Sequence, residues 1–218
     1  MKVLVTAGST RTMIDQVRCI TNIFKGRTGH NIAAYFSMKN NEVTLITSGD
    51  ANSFNARNII EYRTYDELYD NMKEQITENN FDVVIHSAAV SDYRPEGTYI
   101  DEGGPTTRLK KLDSSGKVGS DHKVLYLKMV QTEKIIDKIR DPWGFKGKLV
   151  KFKLQVDITD EKLLEIARKS RKHSDADIIV ANCLEWSSKK AYIVSSDDLI
   201  EQVKRESLPQ ALYDSISS

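Results

Sequence analysis

Short apolar runs rich in Val and Ile recur along the chain, separated by longer stretches with helical spacing of their apolar residues. Runs at residues 3–6, 43–47, 59–62, 83–87, 124–128, 149–154, 178–181 and 191–194 read as strands. Helical spacing predicts helices at about 27–40, 64–79, 131–140, 159–173 and 197–206. The fourth of these is the clearest. Thr159 suits an N-cap, Asp160 and Glu161 place negative charge in the first turn, and Leu163, Leu164, Ile166 and Ala167 supply one apolar face. Strands alternating with helices at this spacing need crossover connections between parallel neighbours, so the predicted fold class is α/β, a doubly wound and mostly parallel sheet. Ligands collect beyond the carboxyl ends of such strands, which points to the loops after Thr6, Ser87 and Ala181.

One stretch breaks the rhythm. Residues 95–122 carry little apolar periodicity, five glycines and the run Arg108-Leu109-Lys110-Lys111. A connection this long inside a compact fold reads as a flap or mobile arm appended to one domain spanning 1–218. Composition narrows the chemistry further. Lys and Arg total 32 against 31 Asp and Glu, a net charge of +1, which argues against nucleic acid as an obligate partner. Cys19 and Cys183 form no CxxC pair, and His30, His86, His122 and His173 have no metal-ligand spacing, so neither a disulfide framework nor a protein-ligated metal is expected. The N-terminus lacks a signal-peptide apolar core, and no apolar run approaches the roughly 20 residues that span a bilayer. A soluble, cytoplasmic protein is therefore expected.

Candidate chemistry sits in three places. Gly8-Ser9-Thr10-Arg11 follows the first strand, and Gly26-Arg27-Thr28-Gly29 opens the first helix. Glycines let backbone amides approach an anion, and a helix N-terminus adds partial positive charge, so this entry suits phosphate; the alternative is that Gly8 and Gly29 only permit a turn and close packing. After the strand at 83–87, the small residues Ser87, Ala88 and Ala89 leave room for a flat ring. Asp92 beyond them could accept a hydrogen bond from an exocyclic amine, help hold a hydrated divalent ion, or simply cap a turn. In the arm, Lys117 is flanked by Gly116 and Gly119, and could fold over a polyphosphate to offset negative charge.

Taken together, three ordered segments resemble the signatures of the phosphopantothenate–cysteine ligase family. The first comprises Gly8 to Arg11, Ile14-Asp15-Gln16-Val17-Arg18-Cys19-Ile20-Thr21-Asn22 and Gly26 to Gly29; the second is Ala88-Ala89-Val90-Ser91-Asp92-Tyr93-Arg94-Pro95; the third is Asp177-Ile178-Ile179-Val180-Ala181-Asn182. The resemblance implies a modified dinucleotide-binding, Rossmann-like fold and a homodimer. It also implies a reaction that joins 4′-phosphopantothenate to cysteine through an acyl-nucleotide, with CTP or ATP as co-substrate and Mg²⁺ accompanying the nucleotide. CTP is the commoner bacterial choice. Starting at the ligase's own first strand, the sequence looks like the stand-alone form, with no flavin site.

By position, the resemblance assigns Asn22 to the acyl-nucleotide, with Arg18 and Ala89 beside the acid substrate. Gly8, Ser9, Thr10, Ser87, Ala88 and Asp92 fall at nucleotide-contacting positions, as does Phe152 beside the base. Lys117 is matched to the flap lysine by counting back from Leu127-Lys128-Met129-Val130, whereas the letters around Lys110 also fit. Where the family has paired lysines before its third motif, this chain has Ser170 and Ser174, leaving Lys172 or Lys169 as stand-ins. No catalytic-looking Cys–His or Ser–His pair is present, in keeping with a reaction driven by positioning and electrostatics. Two rival readings are a nicotinamide-dependent short-chain reductase, for which Tyr35 with Lys39 and Tyr69 with Lys73 have the spacing, and a non-catalytic nucleotide-binding protein.

Overall fold

The structure, a computed structural model, describes residues 1–49, 58–103 and 108–217. Its main sheet has eight strands. In chain order these are β1 (Lys2–Ala7), β4 (Glu42–Thr47), β5 (Asn58–Glu61), β6 (Val83–His86), β10 (Lys148–Gln155), β11 (Ile178–Cys183), β12 (Lys190–Val194) and β13 (Ile200–Lys204). They lie in the order β13-β12-β11-β10-β6-β1-β4-β5. The six from β11 to β5 are mutually parallel, and β12 and β13 add an antiparallel edge. Strand order reverses direction between β1 and β6, so the crevice of a doubly wound sheet opens at their carboxyl ends.

Alternation along each strand explains why both faces are covered. Val3, Val5 and Ala7 of β1 pack with Val43, Leu45, Val83, Ile85 and Val150 under α1 (Arg27–Met38) and α4 (Leu208–Ser217). Leu4, Ile46, Val84 and Leu149 face the other way, under α2 (Tyr65–Glu78). On that same side, Ile179 and Ala181 meet Leu163 and Ala167 of α3 (Asp160–His173). The caps follow the sequence: Thr159 accepts from the Lys162 amide, and Thr64 with Glu67 forms a reciprocal capping box at α2. Leu4 is fully buried between two strands. Leu4→Ala is expected to destabilise by about 3 kcal/mol, read as a lower urea midpoint at unchanged slope. A loss below about 1 kcal/mol would show that this face repacks around the deletion.

Several expectations need correction. The stretch 197–206, predicted as a helix, is β13. Asp198 at φ 62° turns the chain, and Ile200 to Lys204 pair with Val194 to Lys190, so the open edge of β12 overrides local helical spacing. The helix expected at 131–140 is only a 3₁₀ turn, Ile135–Lys138, whose Ile135 is buried; Pro142 disfavours helical backbone just beyond it. The strand expected at 124–128 is β9 (Tyr126–Gln131), and it lies outside the main sheet. The arm is not featureless. β7 (Tyr93–Asp101) and β8 (Leu109–Lys111) join β9 in a small antiparallel sheet, β8-β7-β9. Residues 104–107 of the expected arm lie outside the described residues. Unforeseen as well were α4 and the hairpin of β2 (Arg11–Met13) with β3 (Cys19–Thr21).

Candidate active site

The crevice is built by backbone-to-backbone stitching of the loops that follow β1 and β6. Thr6 and His86 are register partners on the last rungs, and pairing continues past the strands through a Ser9–Ala89 bridge. The Ala89 amide donates to the Gly8 carbonyl at 2.8 Å, and the Thr10 amide donates to the Ala89 carbonyl at 3.2 Å. The buried Thr10 hydroxyl accepts from the Ser91 amide at 2.9 Å. Gly8 adopts φ 91°, and a Cβ there would run into the Ser48 side chain. Gly8 to Thr10 and Ser87 to Ala89 are therefore fixed as one unit, in which Gly8, Ser9 and Thr10 are buried and the Ser87–Ala89 side is the more open.

Thr6 organises the β6 side. Its hydroxyl accepts from the Ala88 amide at 3.1 Å and lies 2.9 Å from His86 Nδ1, while its carbonyl accepts from Ser87 Oγ at 2.6 Å. Burial, helped by the nearby Lys151 charge, pushes the His86 pKa down to about 4, so the ring is neutral near pH 7. The Thr6 hydroxyl, fixed by the Ala88 amide, thus holds the neutral ring at Nδ1.

Helix α1 abuts this unit. Gly26 caps it at φ 80° with no side-chain cap, and a Cβ on Gly29 would lie 2.7 Å from Ala7 Cβ and 2.9 Å from the Thr6 carbonyl. The first-turn amides thus face the strand ends with no acidic residue nearby in the turn. Arg205, just beyond β13, donates through Nη2 to the Thr28 hydroxyl, and its Nη1 is buried without a partner among the described residues. Burial and the neighbouring Arg27 lower the Arg205 pKa. Two guanidiniums at the positive end of a helix repel one another unless an anion joins them. Arg205 escaped the sequence reading because nothing local marks it: only the antiparallel edge and the turn into α4 carry it back to α1.

The β2–β3 hairpin supplies the opposite wall. Asn22, at its exit, donates from Nδ2 to the Ala89 carbonyl at 3.3 Å, so two segments 67 residues apart meet at one carbonyl. At the hairpin turn, Arg18 donates from Nε to the buried Asp15 carboxylate at 2.9 Å and from Nη2 to the Val118 carbonyl at 2.8 Å. Lys117 is exposed and sits between Gly116 and Val118, both held to this turn, whereas Lys110 lies on β8 and pairs with Glu102 at 3.3 Å. Phe152 is half-buried on the α1 face of β10, opposite Val180 in register and one residue beyond the level of His86.

Asp92 is exposed, and its carbonyl accepts from the Thr132 amide at 2.9 Å. Among the described residues no group of three or more His, Cys, Asp or Glu could hold a metal ion. Beside Gly8, a cavity of about 330 Å³ opens at the ends of β4 and β5, lined by Arg11, Ser48, Gly49 and Arg63 among others.

Lys172 is not brought to this place. It lies in the last turn of α3, which leads into the amino end of β11, and it pairs with Asp198 at 3.4 Å. Its charge complements the helix terminus there. Ser170 and Ser174 instead receive Lys151 Nζ, at 3.0 Å on the Ser170 carbonyl and 2.8 Å on the Ser174 hydroxyl. The reductase spacings fare no better: Lys39 caps the far end of α1 from the strand tips, and Tyr69 packs edge-on against Trp143.

A sheet of this order, with the N-terminus of α1 set against the end of β1, defines an α/β protein of the doubly wound class, whose ligands collect at the strand ends. The chain belongs to the family of the DNA/pantothenate metabolism flavoprotein C-terminal domain, which it matches over residues 1–216. It is 33% identical over 223 residues to the coenzyme A biosynthesis bifunctional protein CoaBC of Thermococcus kodakarensis, covering 99% of this chain and 50% of that protein. With the CoaBC protein of Borreliella burgdorferi it shares 28% identity over 215 residues, covering 94% of this chain and 49% of the other. The chain thus spans about half the length of these relatives. The crystal structure of the DNA/pantothenate metabolism flavoprotein from Streptococcus pneumoniae superposes with a TM-score of 0.87 at 32% identity, covering 100% of this chain and 98% of that one. No helix among the described residues is long and apolar enough to cross a membrane.

Proposed function

We propose that this chain is a phosphopantothenate–cysteine ligase acting in coenzyme A biosynthesis. The observation that carries the reading is the convergence of Asn22 and the Gly8–Thr10 loop on the single residue Ala89, in a family whose relatives bear the coenzyme A biosynthesis name. The nucleotide, CTP in preference to ATP, lies across the β1–β6 crevice with its base toward Phe152. Its phosphates meet the α1 amides and Arg205, whereas Ser9 stays buried behind them with its Oγ donating to the Phe24 carbonyl and its amide to Ser48 Oγ. The acid substrate lies along the hairpin, its carboxylate near Asn22 and Ala89. Arg18 retains a free Nη1 among the described residues for that substrate.

The reaction runs in two displacements. The carboxylate oxygen attacks the α-phosphorus, the bond to the bridging oxygen breaks, and pyrophosphate leaves, its charge offset by Lys117. The amine of cysteine then attacks the activated carbonyl, the nucleotide monophosphate departs with the C–O electron pair, and the amide forms as the amine loses a proton. Asn22 Nδ2 donates toward the oxygen that becomes negative in this second step. Mg²⁺ fits a site of this kind, since it binds through one or two carboxylates plus substrate phosphates, and Asp92 offers one exposed carboxylate. When bound, the ion neutralises phosphate charge.

A homodimer and a cytoplasmic setting belong to the same proposal. Val17, Ile20, Ile23 and Phe24 expose apolar surface on and beside the hairpin, and Leu109, Val124 and Tyr126 do so on the arm. Covering such surface is what a second copy would do. Pyrophosphate release that requires nucleotide and 4′-phosphopantothenate together, followed by a cysteine-dependent amide product, is the expected result. Running CTP and ATP side by side ranks the two nucleotides. Release that ignores 4′-phosphopantothenate would overturn the reading.

A further inference from the structure

The arm is tied to the hairpin turn through one buried carboxylate. Asp15 is 4% exposed and sits in the turn between β2 and β3. One of its oxygens accepts from the Val17 and Arg18 amides, both at 2.8 Å. The other accepts from Arg18 Nε at 2.9 Å, from Arg18 Nη2 at 2.5 Å and from the Val118 amide at 3.1 Å. Arg18 Nη2 also donates to the Val118 carbonyl at 2.8 Å. Both backbone polar groups of Val118 are thus held by the two halves of one ion pair, 103 and 100 residues away in sequence. Gln16 adds a second fastening: its amide donates to the Gly116 carbonyl at 3.3 Å and its side chain to the Ser115 carbonyl at 2.6 Å.

Lys117 is the residue between these fastenings. Gly116 and Val118 are fixed on either side, the Val118 side chain is buried at 3% exposure, and the Lys117 side chain is left outside. Its backbone is therefore anchored to the hairpin whose other end carries Asn22, about 10 Å along β3 from Cys19. Among the described residues Lys110 has no such tie to the hairpin; it stands on the exposed β8 strand, held in the β8–β7 ladder.

We infer that Asp15, acting through Arg18 and Val118, is the positioning residue that fixes Lys117 for the proposed reaction. This deepens the ligase reading and rests on it. A carboxylate with no exposed acceptor left over does not bind substrate itself; it determines where a neighbouring cation stands. Loss of positioning reduces rate more than binding, because a correctly placed charge matters most as charge develops. The groups facing Asp15 are cationic or amide donors, and they hold its pKa far below the ordinary carboxylate value. The clasp is consequently complete above the ordinary carboxylate pKa and opens only as pH falls through the lowered one.

The test uses Asp15→Asn in the full chain, alone and combined with Lys117→Gln. Amide hydrogen exchange is expected to speed up at Val118 at least tenfold, with β1 and β6 amides unchanged. The kcat is expected to fall about tenfold to a hundredfold with KM for nucleotide within a factor of about three. In the Lys117→Gln background the same change is expected to alter kcat by less than about twofold, because the group it positions is gone. Protected Val118 exchange in the variant, or full multiplication of the two kcat losses, would overturn the inference. A Glu at position 15 guards against misfolding: Asp15→Glu keeps the charge and is expected to restore part of both the protection and the rate. If the wild type makes no product, the ligase reading fails and exchange at Val118 alone judges the clasp.

Discussion

Lys117→Gln is expected to lower the rate of pyrophosphate formation by about a hundredfold to a thousandfold while leaving the fold intact. The side chain is exposed, so replacing it removes no packing, and the stability change should stay within about 0.5 kcal/mol. What is lost is a mobile ammonium on a fixed backbone. The free carboxylate is a weak nucleophile toward a polyanion, and the barrier rises with every uncompensated negative charge on the departing pyrophosphate. Because that charge builds mainly on the way to the transition state, kcat should carry the loss and KM for nucleotide should move little. Lys110→Gln provides the contrast. Its Nζ already pairs with Glu102 on the arm's outer sheet, and its removal should leave turnover within about twofold. A large effect at Lys110 with none at Lys117 would move the flap role from one lysine to the other.

Asn22→Asp should separate the two displacements. The side chains are nearly the same shape, and the Nδ2 donor 3.3 Å from the Ala89 carbonyl becomes a carboxylate oxygen. A carboxylate cannot donate there, and its charge opposes the negative charge that develops on the activated carbonyl when cysteine attacks. Activation, which does not build charge at that oxygen, should continue. The expected record is a burst of about one equivalent of pyrophosphate per site, accumulation of acyl-nucleotide on the protein, and amide formation slowed by about a hundredfold to a thousandfold. Unchanged ligation would remove Asn22 from the reaction, and loss of the burst would place it in the first step instead.

Legibility differed sharply between parts of the molecule. The central parallel strands announce themselves because they are buried on both faces, as in the apolar runs Val3 to Val5 and Ile178 to Val180, whereas β5 at the sheet edge is only half-buried. The capped helix after Thr159 was equally plain, since its cap, first-turn charge and apolar face all agree. The arm was misread because β7, β8 and β9 bury little apolar surface. Tyr93, Leu109 and Tyr126 stay exposed, and strands of that kind lack the alternation that betrays a core-facing sheet. The error at 197–206 has a different origin: nothing in Leu199 to Lys204 forbids a helix, and only the exposed edge of β12 selects the strand.

For the candidate site, local residue types marked the loops, and chain order alone placed Gly8, Ser87 and Ala88 at strand ends. By itself the sequence determined the α/β class and the crevice loops, because burial on two faces and helix capping are local demands that residue types record directly, and its three ordered motifs carried the resemblance to the family. Only the tertiary structure decided that Asn22 meets Ala89, that Arg205 reaches Thr28, that Lys172 stays behind at the sheet's other end, and that Asp15 grips Val118. These contacts join residues 67, 177, 26 and 103 positions apart. Their geometry is set by how the strands stack and where the hairpin and arm meet, which no spacing along the chain encodes.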